Sequence, residues 1–279
     1  FFGHSNIRKM ESKTADTSDT VAVTAPKTKH FIDSTQNCIL DALDGILLTN
    51  NNITRIYGND TSIKVVYRND WDNNGDKVAL ISGGGSGHEP SHAGFVGKGM
   101  LTAAVCGEIF SSPARRAIVE AIKKVATKKG VLLIIKNYTG DVFNFKSAQK
   151  TAIGLGIKCE AVIVKDDVAL SKKQSKVGPR GIAGTVFVHK VAGYFAEKGY
   201  DLKAVKEYAQ YVIDNVGTIG LSATICNLIG VTSDDSDRNI KQNELELGLG
   251  IHGEPGFEKI TFDKISKVIP KMFDKLLDF

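Results

Sequence analysis

Residues 78–92 read VALISGGGSGHEPSH, and this stretch is the strongest indication of the fold. An apolar run at 78–81 passes directly into a glycine-rich segment that ends in His88-Glu89-Pro90. A buried strand that opens into a glycine-rich turn lets bare backbone approach a ligand and gathers polar side chains at its carboxyl end. The stretch therefore predicts a small-molecule site at the carboxyl edge of a β-sheet.

Two further segments repeat this layout, VLLIIKNYTGD at 131–141 and LGLGIHGEPG at 247–256. Three apolar runs that each end in a polar, glycine-bearing loop predict one shared site. Lys136, Asp141 and His252 would join His88 there. Asp141 has a second interpretation, because an aspartate at this position could instead cap the helix that follows.

Apolar, β-branched runs alternate with helical patterns along the rest of the chain. The runs lie at 63–67, 77–82, 101–106, 130–136 and 160–165, and the helical patterns lie at 33–48, 113–128, 143–155, 181–198, 202–215 and 261–277. This alternation predicts an α/β fold, with a largely parallel or mixed sheet and helices on both faces. Residues 172–180 and 232–243 predict loops. Residues 1–29, rich in serine and threonine, predict a disordered tail before a single domain at 30–279.

The charge pattern narrows the function classes. The 36 basic residues exceed the 31 acidic ones by only five, and they are scattered, so no track for nucleic acid is predicted. No apolar stretch is long enough to span a bilayer, so no membrane partner is predicted. The four cysteines lie far apart at 38, 106, 159 and 226, which favours a reducing compartment and a cytoplasmic location.

Known nucleotide and metal motifs do not fit the glycine-rich stretch. It lacks the lysine of a phosphate-binding P-loop, and its glycine spacing does not match G-x-G-x-x-G. Residues 88–92 match the zinc motif H-E-x-x-H by letter, but that motif needs a regular helix. Five residues rich in glycine precede it and Pro90 lies inside it. We therefore predict no metal site, and a helix that begins near Pro90.

Four segments together carry a family resemblance. They are LISGGGSGHEPSHAGFVGKGMLTAAVCGEIFSSP (80–113), VLLIIKNYTGDVFNF (131–145), GIAGTVFVHKVAGYFAEKG (181–199) and ELGLGIHGEPG (246–256). Over roughly residues 29–279 the chain closely resembles the substrate-binding part of the dihydroxyacetone kinases. The motifs are long, ordered and specific to that family.

The resemblance implies a covalent mechanism. The His252 imidazole would add to the carbonyl carbon of a short ketose and form a hemiaminal, since a neutral imidazole nitrogen is a nucleophile near neutral pH. Asp141 would take the proton from the terminal hydroxyl as it attacks phosphorus, and His88 would hydrogen-bond the same hydroxyl. The remaining substrate-binding residues implied are Gly85, Ser86, Gly87, Ser112 and Lys136.

The resemblance also implies partners. The substrate would be dihydroxyacetone, with glyceraldehyde as a further candidate, and the protein would be a homodimer. ATP and Mg²⁺ would be held by a nucleotide-binding domain or subunit. Neither that domain nor the second lobe expected after Leu277 is recognised in the 279 residues. Two other functions stay open: a non-enzymatic ketose sensor that regulates a partner, and a zinc hydrolase built on H-E-x-x-H.

Overall fold

A computed structural model of the chain describes residues 31–170, 178–226, 229 and 240–278. The tail predicted at 1–29 and most of the two predicted loops lie outside the described residues. Among the helices of the described part, none is both long and apolar enough to cross a membrane.

A six-stranded mixed sheet forms the centre of the fold. Its strands are β1 (Ile53–Arg55), β2 (Val65–Arg68), β3 (Ala79–Ser86), β4 (Ala103–Ile109), β5 (Val131–Lys136) and β6 (Cys159–Val164). The spatial order is β1-β2-β4-β3-β5-β6. Strands β3 to β6 pair in parallel, whereas β2 is antiparallel to β4 and β1 is antiparallel to β2. The predicted, largely parallel mixed sheet is confirmed. Strand β1 was not predicted, because three residues show no usable periodicity.

Helices cover both faces of the sheet, as predicted. They are α1 (Cys38–Thr49), α2 (Arg115–Val125), α3 (Thr139–Gly154), α4 (Thr185–Glu197) and α5 (Leu202–Asn215). The last helix, α6 (Ile265–Leu277), lies apart from them and packs through Val268 against Leu245 and Ile260. Successive side chains of a strand point to opposite faces. In β5, Leu132 therefore joins the core beneath α4 and α5, and Leu133 joins the core beneath α2 and α3. Both leucines are fully buried, so the sheet positions its loops rigidly.

The glycine-rich stretch differs from its prediction as a turn. Strand β3 continues through Ser86, and its residues pair with β4 as far as that serine. A Cβ at Gly83 would overlap the carbonyl oxygen of Val105 and lie 3.0 Å from the Phe145 ring, so glycine is needed where the strand passes under these groups. The turn begins at Gly87, whose φ is +107°. Glycine here serves close packing inside a strand as well as a turn.

The prediction of a helix that begins near Pro90 is wrong. The Glu89–Pro90 peptide bond is cis, and the first helical residues after it are a three-residue 3₁₀ turn, Ala93–Phe95. The glycines that surround this turn, Gly94, Gly97 and Gly99, weaken helix formation. Residues 88–92 therefore form an irregular loop.

The third predicted loop belongs to a different sheet. Strands β7 (Leu221–Ser222), β8 (Glu244–Leu247) and β9 (Glu258–Thr261) form a small antiparallel sheet, in the order β7-β8-β9. The apolar run at 247–251 was predicted as a strand, but β8 ends at Leu247. The chain turns at Gly248, whose φ is +74°. This loop meets the loops of the main sheet although its strand is not part of that sheet.

Candidate active site

The predicted loops meet around one cavity of about 170 Å³. Strand β3 leads to His88, β4 leads to Phe110, β5 leads to Lys136 and α3, and the loop after β8 supplies His252. The lining residues are Gly85, His88, Phe110, Ser112, Lys136, Tyr138, Gly140, Asp141 and His252. Six of the eight predicted site residues line this cavity, all except Ser86 and Gly87, and three further lining residues, Phe110, Tyr138 and Gly140, were not predicted.

Glu254 holds the His252 ring in one orientation. The His252 Nδ1 atom lies 3.0 Å from Glu254 Oε1, and the His252 backbone N–H donates to Glu254 Oε2 at 3.1 Å. Burial alone would raise the pKa of Glu254, but these hydrogen bonds outweigh it and lower the pKa to about 2. A carboxylate can only accept a hydrogen bond, so the His252 Nδ1 atom that contacts Glu254 carries the ring proton. The lone pair is then on Nε2, which is buried and has no hydrogen-bond partner among the described residues.

Aromatic rings form the wall around His252. The centroid of its ring lies 5.1 Å from that of Tyr138, 5.3 Å from that of Phe110 and 5.4 Å from that of His88. Phe110 has a φ of 54°, a left-handed conformation that is uncommon outside glycine. The wall explains why His252 is partly shielded from water.

The aromatic wall packs against positions 85 and 87 so closely that only glycine fits there. A Cβ at Gly87 would lie 2.7 Å from Phe110 Cε1, and a Cβ at Gly85 would lie 2.5 Å from the Ser111 nitrogen. Between them, the Ser86 hydroxyl donates to the Gly107 carbonyl at 2.9 Å, which ties β3 to the end of β4. Ser86 and Gly87 therefore support the cavity from behind.

Asp141 lies in the first turn of α3 and is buried. Burial raises the pKa of this carboxyl group, while the Ser112 hydroxyl and the Lys136 ammonium oppose the increase. A Cβ at Gly84 would lie 3.3 Å from Asp141 Oδ2, so the carboxyl group rests directly over the glycines of β3. Tyr138, and not Asp141, occupies the capping position of α3, and it makes no side-chain cap. A buried carboxyl group with a raised pKa is suited to accept a proton.

Lys136 ends β5 and is also buried. Burial lowers the pKa of its ammonium group, and the nearby carboxylates of Asp141, Asp166 and Glu254 offset only part of this decrease. Its Nζ atom lies 5.3 Å from the centre of the Tyr138 ring. The lysine thus places a positive charge and hydrogen-bond donors at the floor of the cavity.

His88 is a neutral imidazole at physiological pH. Burial, together with the neighbouring Lys136 and His252, lowers its pKa to about 4, against a smaller opposite effect of Glu254. Neither ring nitrogen has a hydrogen-bond partner among the described residues. The ring is therefore available to donate to, or accept from, a ligand hydroxyl.

The two histidines of H-E-x-x-H do not share a helical face. His92 is buried and points to His189 of α4, with 3.2 Å between His92 Nδ1 and His189 Nε2. Within the described part of the chain, no group of three or more His, Cys, Asp or Glu side chains is placed to hold a metal ion. The helical geometry that the zinc motif requires is missing at 88–92.

Arg180 fixes the loop that carries His252, and it was not predicted. Its Nε donates to Asp167 Oδ2 at 2.7 Å, and its Nη2 donates to the Gly248 carbonyl at 2.5 Å. A Cβ at Gly250 would overlap the Glu254 carboxylate and lie 2.5 Å from Arg180 Nη1. The loop therefore folds tightly over a buried ion pair. The prediction of a flexible loop through residue 180 concealed this role.

A family model matches most of the chain. The family is that of the Dak1 domain, and the match covers residues 44–279. The chain belongs to the Dak1 family. Dihydroxyacetone kinase of Citrobacter freundii is 46% identical over 249 residues, which is 88% of this chain and 44% of that protein. The dihydroxyacetone-binding subunit DhaK of the PTS-dependent dihydroxyacetone kinase 1 of Listeria innocua is 40% identical over 249 residues, 89% of this chain and 73% of that subunit.

Solved structures agree with this assignment. The structure of the C. freundii kinase in complex with AMP-PNP and Mg²⁺ matches with a TM-score of 0.84 at 44% identity. The match covers 90% of this chain and 46% of the kinase chain. The operon co-activator Dha-DhaQ has a TM-score of 0.77 at 33% identity, and covers 85% of this chain and 70% of that chain. The proteins that this chain is similar to therefore include both kinases and an operon co-activator. This chain spans less than half the length of the C. freundii kinase.

Proposed function

We propose that this chain is the ketose-binding part of a dihydroxyacetone kinase and holds its substrate as a hemiaminal on His252. The observation that carries the proposal is the unpartnered Nε2 of His252, oriented by Glu254 in a cavity that also contains the buried Asp141. The substrate is dihydroxyacetone, with glyceraldehyde as a second triose.

The first step is addition to the carbonyl group. The Nε2 lone pair of His252 forms a bond to the carbonyl carbon, and the π electrons of the C=O bond move to its oxygen, which takes up a proton. The imidazole releases its Nδ1 proton through Glu254 to solvent, and solvent returns one proton to the oxygen, so the adduct is neutral and Glu254 stays a carboxylate. A polyol without a carbonyl group cannot react in this way, which gives a selectivity that hydrogen bonds alone supply poorly.

The second step uses Asp141 as the base. One arm of the hemiaminal places its terminal hydroxyl beside Asp141, which takes the proton as the oxygen attacks phosphorus. Lys136 and His88 orient that hydroxyl, and Lys136 compensates for negative charge that develops on it. The raised pKa of Asp141 brings its basicity closer to that of the group it must deprotonate.

The phosphoryl donor is proposed to be ATP with Mg²⁺, held by a nucleotide-binding domain or partner subunit. The glycines of β3 do not fit a phosphate cradle, because Gly83 and Gly84 lie within the strand and pair with Val105 and Cys106 of β4. The solved C. freundii kinase that binds AMP-PNP and Mg²⁺ extends well beyond the matched part. A homodimer and a cytoplasmic location complete the proposal.

A ketose sensor is the second candidate, and the likeness to the Dha-DhaQ co-activator favours it. The two candidates differ at Asp141, because a sensor needs the nucleophile but no base. Turnover of dihydroxyacetone should be measured with ATP, Mg²⁺ and a nucleotide-binding partner, for the wild type and Asp141→Asn. We expect the variant to bind the ketose and to lose about 100-fold or more in turnover. Adduct formation without turnover in the wild type would favour the sensor.

A further inference from the structure

Arg180 carries a buried nitrogen atom without a hydrogen-bond partner. The residue is only 6% exposed. Its Nε and Nη2 atoms donate to Asp167 and to the Gly248 carbonyl, whereas Nη1 has no partner among the described residues. Buried polar groups in folded proteins are normally hydrogen-bonded, so an N–H of a buried guanidinium without an acceptor needs an explanation. The groups that surround Nη1 supply one.

Glu254 is the carboxylate beside this nitrogen. A Cβ at Gly250 would overlap Glu254 Oε2 and would lie 2.5 Å from Arg180 Nη1, so only the space of about one methyl group separates the two side chains. Within the described part of the chain, however, the ion pair of Arg180 is with Asp167, and Glu254 contacts His252 instead. A small rotation of the Glu254 carboxylate would bring it to Nη1.

Formation of the hemiaminal changes what His252 offers to Glu254. In the free protein His252 Nδ1 carries the ring proton and donates it to Glu254 Oε1. In the neutral adduct Nε2 is bonded to the ketose carbon and Nδ1 has released its proton to solvent, so Nδ1 is an acceptor. Two acceptors then face each other, and the lone pair of the nitrogen repels the carboxylate. The carboxylate therefore needs a different donor once the ketose is bound.

Arg180 suits this role better than the two other donors near Glu254. The Lys136 ammonium interacts more strongly with Asp141 than with Glu254. The buried Tyr138 hydroxyl has no hydrogen-bond partner among the described residues, but it is a neutral donor. A hydrogen bond from a guanidinium to a carboxylate is about twice as strong as one between neutral groups. The free N–H of Arg180 is therefore the donor that Glu254 gains most from reaching.

We propose that Arg180 is a positioning residue that becomes the partner of Glu254 when a ketose binds. The carboxylate accepts from His252 Nδ1 in the free protein and from Arg180 Nη1 in the hemiaminal. The inference rests on the proposed function of His252. In the free protein Arg180 holds the start of the His252 loop, at the Gly248 carbonyl. In the bound protein it holds the end of that loop as well, at Glu254, and this added contact stabilises the adduct.

Side-chain ¹H–¹⁵N NMR of the wild-type protein follows this exchange of partners directly. The signals are assigned with Arg180→Lys and His252→Ala, and Arg116, exposed on α2, is the internal control. With dihydroxyacetone, we expect the His252 Nδ1–H signal to disappear and the Arg180 Nη1 protons to shift downfield. Glycerol, which has no carbonyl group, should change neither signal. An Nδ1–H signal that persists in the adduct, or an unchanged Arg180 signal, would overturn the inference.

A double-mutant cycle gives an independent readout. The dihydroxyacetone adduct is quantified by intact-protein mass spectrometry for Glu254→Gln, Arg180→Lys and the double variant, with Arg116→Lys as the matched control. Since both side chains would act through one hydrogen bond in the adduct, we expect the double variant to be about tenfold weaker than the wild type, as Arg180→Lys alone is; independent effects would multiply to about fiftyfold.

Two results of this cycle would overturn the exchange of partners. One is a fiftyfold effect in the double variant. The other is an equally large coupling between the two substitutions in urea unfolding of the ketose-free protein, because the contact would then exist without ketose. If the folded wild type forms no adduct with dihydroxyacetone, the proposed function of His252 fails as well. If the adduct forms and either test gives the contrary result, only the role of Arg180 fails.

Discussion

Replacing Glu254 by glutamine tests whether a charged partner orients His252. The carboxylate receives two hydrogen bonds from His252, one from the ring and one from the backbone. A hydrogen bond to a charged group contributes about 1.5–3 kcal/mol and a neutral one about 0.5–1.5 kcal/mol. The side chains are 24% and 36% exposed, so solvent reduces the difference. We expect Glu254→Gln to weaken the ketose adduct by about 1 kcal/mol, which is about fivefold.

The assay is the equilibrium between free and ketose-bound protein, measured by intact-protein mass spectrometry. Glu254→Ala, which removes both hydrogen bonds, should weaken the adduct further. Glu258→Gln, at an exposed position of β9, should have no effect. Side-chain ¹⁵N NMR supplies a second readout, because the wild type should carry its imidazole proton on Nδ1 and the variants should show a mixture of tautomers. Unchanged adduct formation and an unchanged tautomer in Glu254→Ala would refute the orienting role.

Three further predictions concern pH and the loop of His252. Because burial lowers the pKa values of His92 and His189, the unfolded chain takes up protons below about pH 6.5 while the folded chain does not. Urea unfolding at pH 5 should therefore show a loss of about 2 kcal/mol for each histidine relative to pH 7.5; a flat profile would contradict their neutral burial. Arg180→Lys should weaken the adduct about tenfold, since it breaks the paired contacts to Asp167 and Gly248, and wild-type adduct formation would contradict that role. Gly250→Ala should abolish the adduct with far-UV circular dichroism unchanged, because its Cβ would displace Glu254.

The fold could be predicted from the sequence where hydrophobic pattern alone determines it. Strand β5 and its loop followed the predicted bounds, because a short apolar run rich in β-branched residues and bounded by glycine and polar residues is typical of a strand buried on both faces. The glycine-rich part of β3 was wrongly predicted as a turn, because Gly83 is required where the strand passes beneath Val105 and Phe145, which are distant in sequence. Contacts between distant segments leave no local pattern.

The site could be predicted in part for the same reason. His88, Lys136 and Asp141 follow neighbouring parallel strands, so their convergence follows from topology. The loop of His252 reaches the site from a separate antiparallel sheet, which no strand pattern indicated.

Of the two residues that orient His252, one could have been predicted from the sequence and the other could not. Glu254 lies two residues from His252, and that spacing was a local signal that could have identified it. Arg180 contacts Gly248 across 68 positions of sequence and gave no such signal.

The most direct test of the account is to look for the covalent ketose on His252. The folded protein is incubated with dihydroxyacetone, trapped by mild hydride reduction or cold quench, and analysed as intact protein and as peptides. The account predicts one added ketose, located on the peptide that contains His252, retained in Asp141→Asn and absent from His252→Ala. A folded wild-type protein without the adduct, or an adduct that persists in His252→Ala, would contradict it.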